Sequence, residues 1–136
     1  MAVQDCHGDE VEVTVRWERD GTGLRGQVIV RNVGGRACRL PGKPGVRPLG
    51  QDGTPLEADT MITLELLEPG YLDIEPGELA AARVTWPNWC GPAAGDQAVV
   101  TWGDGSATAH VEGPVQPSCE QGHGGNLTSS WFQPAE

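Results

Sequence analysis

Lysine is nearly absent from this sequence: Lys43 stands alone beside eight arginines, and the formal net charge is −10. Without a basic stripe to neutralise phosphates, the chain does not read as a nucleic-acid binder. Nor is it drawn to an anionic membrane surface. The acidity itself reads as solubility. No apolar run approaches the roughly 18 residues of a membrane span, so no membrane insertion by this segment is expected. Met1-Ala2-Val3-Gln4-Asp5 has neither the basic start nor the apolar stretch of a signal peptide. Phe and Tyr occur once each, so Val, Leu, Ala and the five tryptophans must fill the core. What is abundant is Gly, at 20, and Pro, at 11. Both interrupt helices and punctuate short strands. The heavy use of Arg, Gly, Ala, Pro and Val is that of a GC-rich genome and hints at an actinobacterium.

Four cysteines, Cys6, Cys38, Cys90 and Cys119, give an even count with wide spacing. That suits two disulfides, with three possible connectivities. Sequential pairing, Cys6 with Cys38 and Cys90 with Cys119, is preferred because each bond then ties a terminal region to a strand end. Closing a loop of about 30 residues is worth about 3–4 kcal/mol in the chain-entropy model. Such bonds persist in oxidising compartments. The chain is therefore expected to be a mature segment, secreted or on the extracellular face of the envelope, whose export signal lies outside it. Zinc is the competing reading, from Cys119 with His123 and Cys6 with His7. The close cysteine pair that zinc sites usually show is missing, and no cofactor or metal is expected. Val3-Gln4-Asp5 before Cys6 does not resemble a lipobox.

Alternation with period two recurs along the chain. Val11, Val13, Val15 and Trp17 share one face; Leu24, Gly26, Val28 and Val30 continue a second strand ending at Asn32. Further strands are expected at 46–49, 79–86, 98–102, 106–111 and 126–132. The segment 38–45 is too rich in Pro and Gly for regular structure. Residues 62–66 alternate and are read as strand, with a short helix over 59–68 as the alternative. Residues 113–125 are the loosest stretch apart from the tether at Cys119. Asp20-Gly21, Asp52-Gly53 and Asp104-Gly105 suit type I′ turns, in which both central residues take positive φ. These signals predict a single all-β domain over 1–136, an immunoglobulin-like β-sandwich of about 7–9 antiparallel strands with two disulfides.

Cys38, Leu40, Gly42, Pro44, Gly45 and Val46 resemble the Cys-x-Leu-x-Gly-x-Pro-Gly-Val segment of the actinobacterial secreted family called domain of unknown function 4232. The strand ending at Asn32, the following Asp52-Gly53 and the run Glu75-Pro76-Gly77-Glu78-Leu79-Ala80 leading to Trp86 fit the same pattern. Cys90, Cys119 and residues 127–134 fit it as well, so the resemblance spans nearly the whole chain. It implies an exported β-sandwich, often a lipoprotein or tethered ectodomain, and no assigned activity. Members usually carry an export signal, which this chain does not show.

Catalytic constellations are missing too. None of Ser106, Ser118, Ser129 and Ser130 lies in a Gly-x-Ser-x-Gly elbow. His7, His110 and His123 are scattered. Glu10 with Glu12, or Asp73 with Glu75, would share a strand face at glycosidase-like spacing, but they read as solvated. Gly122-His123-Gly124-Gly125 lacks the Lys and following helix of a phosphate loop. Trp17, Trp86 and Trp102 fall on inward faces. Trp89, in a Pro87-Asn88-Trp89-Cys90 turn, and Trp131, beside Phe132, are the candidate ligand-binding residues. The expected function is a non-enzymatic extracellular or cell-envelope module, monomeric, that binds an unknown protein or envelope glycan. The alternatives are a carbohydrate-binding module using exposed tryptophans and, less favoured, a hydrolase or metal enzyme.

Overall fold

The computed structural model describes residues 3–58, 60–61, 70–120 and 126–135. Among them lie a 3₁₀ turn, Gly8–Glu10, and eleven strands: β1 (Val11–Asp20), β2 (Gly23–Asn32), β3 (Cys38–Pro41), β4 (Gly45–Gly50), β5 (Thr60–Met61), β6 (Tyr71–Ile74), β7 (Leu79–Trp86), β8 (Ala94–Trp102), β9 (Gly105–Glu112), β10 (Leu127–Ser129) and β11 (Gln133–Ala135). The chain is all-β, as its alternation implies. Val11, Val13, Val15 and Trp17 are buried on β1 while Glu12, Arg16 and Glu18 are exposed. Ala80, Ala82, Val84 and Trp86 do the same on β7.

The expected all-antiparallel arrangement does not hold throughout. Nine strands join one curled, mixed sheet in the order β4-β8-β9-β1-β2-β7-β10-β5, with β11 also on β7. β1 runs antiparallel to β2 over its whole length, yet Thr14, Val15 and Arg16 also pair in parallel with His110, Val111 and Glu112 of β9. β5 and β10 form a second parallel pair. One long strand with partners on both edges thus welds two groups of strands into a half-barrel. The small β3–β6 ladder lies apart, in a segment whose Pro and Gly content argues against regular structure. Of the strand expected over 126–132 only Leu127–Ser129 forms, as β10; β11 follows beyond it, and both pair with β7. The strand or helix expected at 62–66 lies outside the described residues.

The Asp-Gly turns also differ from type I′. Among the described residues only glycines take positive φ. Gly21 (φ 64°) and Gly53 (φ 86°) do so, and in the third hairpin it is Gly103 (φ 44°), not Gly105. Asp20 pairs with Gly23 and Trp102 with Gly105, so the two-residue loops are Gly21-Thr22 and Gly103-Asp104. One left-handed residue at the first loop position satisfies each hairpin.

The disulfides join Cys6 to Cys38 and Cys90 to Cys119, the sequential pattern. The first is fully buried, at the start of β3. The second ties the β7–β8 connection to the segment after β9 and is exposed at both residues. Trp17, Trp86 and Trp89 form a tilted aromatic row through the core, with centroids 6.3 and 5.8 Å apart. Trp102 closes the opposite end, its indole N–H donating to the Cys6 carbonyl at 2.8 Å.

Candidate binding cleft

Two connections meet beside the exposed disulfide. The first follows β4. Gly53 N–H donates to the Gly50 carbonyl (3.0 Å), and Gly50 N–H to the Thr54 carbonyl (2.8 Å). Thr54 N–H donates to the Asp52 carboxylate at 3.0 Å. That bond holds the Asp52 carboxyl below its ordinary range. Leu56 then returns along β4, donating to the Pro48 carbonyl, and is buried.

The second connection joins β7 to β8 through residues 87–93. Its Asn88 is buried, and its amide bridges Glu120: Nδ2 donates to the Glu120 carbonyl and Oδ1 accepts from Glu120 N–H. The Cys90–Cys119 bond fastens the same two segments covalently. Trp89 lies against Trp86 at an interplanar angle of 47°, and its indole N–H donates to the Pro92 carbonyl at 2.7 Å. Gly91 covers the indole so closely that a Cβ there would stand 2.3 Å from Trp89 Cζ2.

Between the two connections is a cleft of about 620 Å³. That lies in the usual range for ligand sites. Pro55, Leu56, Trp89, Pro92 and Ala93 give apolar walls, and Asp52 and Glu57 put two carboxylates on the rim with no basic residue among the lining ones. An anchored indole and braced backbone make this a preformed recess.

The two candidate tryptophans are not brought together. Trp89 lines the cleft but is only 9% exposed. Trp131 does not line it; it is partly buried, while neighbouring Phe132 takes the inward place. The Trp131 indole nitrogen is shielded and has no hydrogen-bond partner among the described residues. Sequence reasoning passed over the 50–57 turn, which reads as hairpin chemistry alone. Its only signal was Leu56 within a polar stretch.

Among the other candidate residues, two carboxylates have arginine partners. Glu10 binds Arg36 at 2.8 Å, and Asp73 binds Arg39 at 2.8 Å. Exposed His7 lies 3.8 Å from Glu10, and His110 lies exposed on β9. His123 and the 122–125 loop lie outside the described residues. Among the described residues no three His, Cys, Asp or Glu side chains are grouped to hold a metal.

Residues 6–133 match the family described as Domain of unknown function (DUF4232). The chain belongs to this family. No curated protein and no solved structure matches it. The span matched to the DUF4232 domain takes in both disulfides and every residue of the cleft. Two structural disulfides suit an oxidising environment.

Proposed function

We propose that this DUF4232 domain is a non-enzymatic binding module acting outside the cytosol, and that its cleft takes an extended peptide segment presenting an apolar side chain beside a basic one. The observation that carries the reading is the recess itself: apolar walls around Trp89 and Leu56 beneath the Asp52 and Glu57 carboxylates. Apolar walls favour a desolvated side chain, and paired rim charges select a cation and speed its encounter. The lining residues among those described include no histidine, cysteine or lysine to activate a nucleophile. A sugar platform would need a broad exposed indole face, and Trp89 offers little of its surface. The two disulfides support an extracellular setting.

The scaffold in this reading is an immunoglobulin-like sandwich. The strict alternation of buried and exposed residues along β1 and β7, which turns one face of the curled sheet to the core, supports it. The cleft then sits where loops meet, a usual place for recognition.

Selection from a displayed random-peptide library tests the proposal. Enriched peptides should combine an apolar residue with Lys or Arg. Their binding should fall about tenfold or more on Glu57→Lys, the scale of one charge-assisted contact. Peptides that bind wild type and Glu57→Lys alike, or binding by a glycan panel alone, would overturn it.

A further inference from the structure

The Cys90–Cys119 bond is one clasp of a longer strap. After β9, residues 116–120 lie along the 87–93 connection and the start of β8, the stretch that carries Trp89. Ala94 N–H donates to the Gln116 side-chain oxygen at 2.7 Å, and Trp89 N–H to the Ser118 carbonyl at 3.4 Å. The Asn88 amide holds the Glu120 backbone twice, accepting at 2.6 Å and donating at 3.2 Å. Residue 94 thus meets 116 and residue 88 meets 120, so the two segments run in opposite directions. Ser118 N–H donates in turn to the Thr22 carbonyl at 2.8 Å, which hooks the strap to the β1–β2 loop.

These fastenings differ in kind. Water competes for each hydrogen bond once the strap lifts, so each alone holds weakly. The disulfide is the covalent clasp, and both of its residues are exposed. Cys6 and Cys38, by contrast, are fully buried. Exposed disulfides are the ones open to exchange with thiols. Lifting the strap takes two hydrogen bonds from the buried Asn88 amide and the Ser118 carbonyl from Trp89 N–H. Trp89 is a wall of the cleft, so that wall loosens with the strap.

With the cleft read as a peptide site, on which this rests, we propose that Cys90–Cys119 is a redox latch. Closed, it holds Trp89 and the 87–93 wall in binding geometry. Opened by a dithiol reductant, it releases them and lowers the affinity of the cleft. A thiolate of the dithiol attacks one of the two sulfurs, forming a mixed disulfide and expelling the other cysteine as its thiolate. The second thiolate of the dithiol then attacks the mixed disulfide and frees the remaining cysteine. Two electrons and two protons pass to Cys90 and Cys119, which end as thiols, and the dithiol leaves as a disulfide. The buried Cys6–Cys38 bond and the Trp17–Trp86 packing keep the rest of the domain folded.

The test compares the full chain before and after a mild dithiol, with alkylation and mass mapping to show which bond opened. Without ligand, hydrogen exchange of amides in 88–93 and 116–120 and of the Trp89 indole should quicken by about tenfold or more on reduction. Amides of β1 and β7 and the Trp102 indole should hold their protection, and reoxidation should restore the rest. A short peptide carrying Leu beside Arg should bind the reduced form at least about tenfold more weakly, the effect of leaving about a tenth of the molecules competent. The double variant Cys90→Ser, Cys119→Ser should behave as the reduced form does. Unchanged exchange around Trp89, protection lost throughout the sheet, or failure of the dithiol to open Cys90–Cys119 ahead of Cys6–Cys38 would overturn the latch. So would equal peptide affinity in the two states. A peptide that fails to bind even the oxidised form counts against the peptide reading alone, and the ligand-free exchange then decides the latch.

Discussion

Gly91 is a position where one methyl group decides the shape of the cleft. Its backbone lies on the Trp89 ring, and a Cβ would meet Cζ2 at 2.3 Å. Gly91→Ala must therefore displace the indole or the loop, and overpacking of this kind costs about 1–3 kcal/mol. Gly35→Ala meets nothing within 4 Å among the described residues and serves as the control. Urea unfolding should show a lower midpoint for the first and little change for the second; equal midpoints would contradict the Trp89 geometry. Glu10 is the residue whose titration couples to folding. The Arg36 side chain, then the His7 backbone N–H, hold its carboxyl below the ordinary 4.5, against a small opposing effect of burial. The folded value is depressed, so the stabilisation is fully present above about pH 4.5 and drains as pH falls through the folded value. Glu10→Gln should flatten that part of the acid limb of unfolding free energy, by under about 1 kcal/mol for so exposed a pair. An unchanged limb would contradict the coupling.

At the scale of elements, the two disulfides differ in access. Cys6 and Cys38 are fully buried, whereas Cys90 and Cys119 are exposed and fasten the loop carrying Trp89. A mild dithiol reductant followed by alkylation and mass mapping should label Cys90 and Cys119 first. Preferential labelling of Cys6 and Cys38 would contradict the exposure. The same contrast shows what the sequence could reveal. Strands with strict alternation, such as β1 and β7, and the sequential cysteine pairing were legible because they depend on local pattern and simple tethering. β3 was not: Cys38–Pro41 finds its partner at Tyr71–Ile74, and Pro and Gly content speaks only of local preference. The parallel join of β1 to β9 was equally hidden, since period two gives faces but not neighbours. Trp89 stood out beside Cys90, but its burial is set by Trp86 and Gly91. The opposite wall, at Leu56, comes from another part of the chain.

For the whole molecule, formal charge and surface charge tell different stories. A net charge of −10 describes the chain, yet the cleft rim concentrates acids while the outer sheet face sets Arg16 against Glu112 and Arg25 opposite Glu18. The half-barrel holds these two surfaces apart on one scaffold, so substitutions on one should leave the other unaffected. The cleft is the centre of the functional account, and the Trp89 indole N–H is its natural reporter among five tryptophans. The most direct measurement is an ¹H–¹⁵N titration with a short peptide carrying Leu beside Arg. The account predicts shifts of the Trp89 indole resonance and of amides in 50–57 and 91–93, with the Trp102 indole unmoved. Shifts scattered over the surface, or none at millimolar peptide, would contradict it.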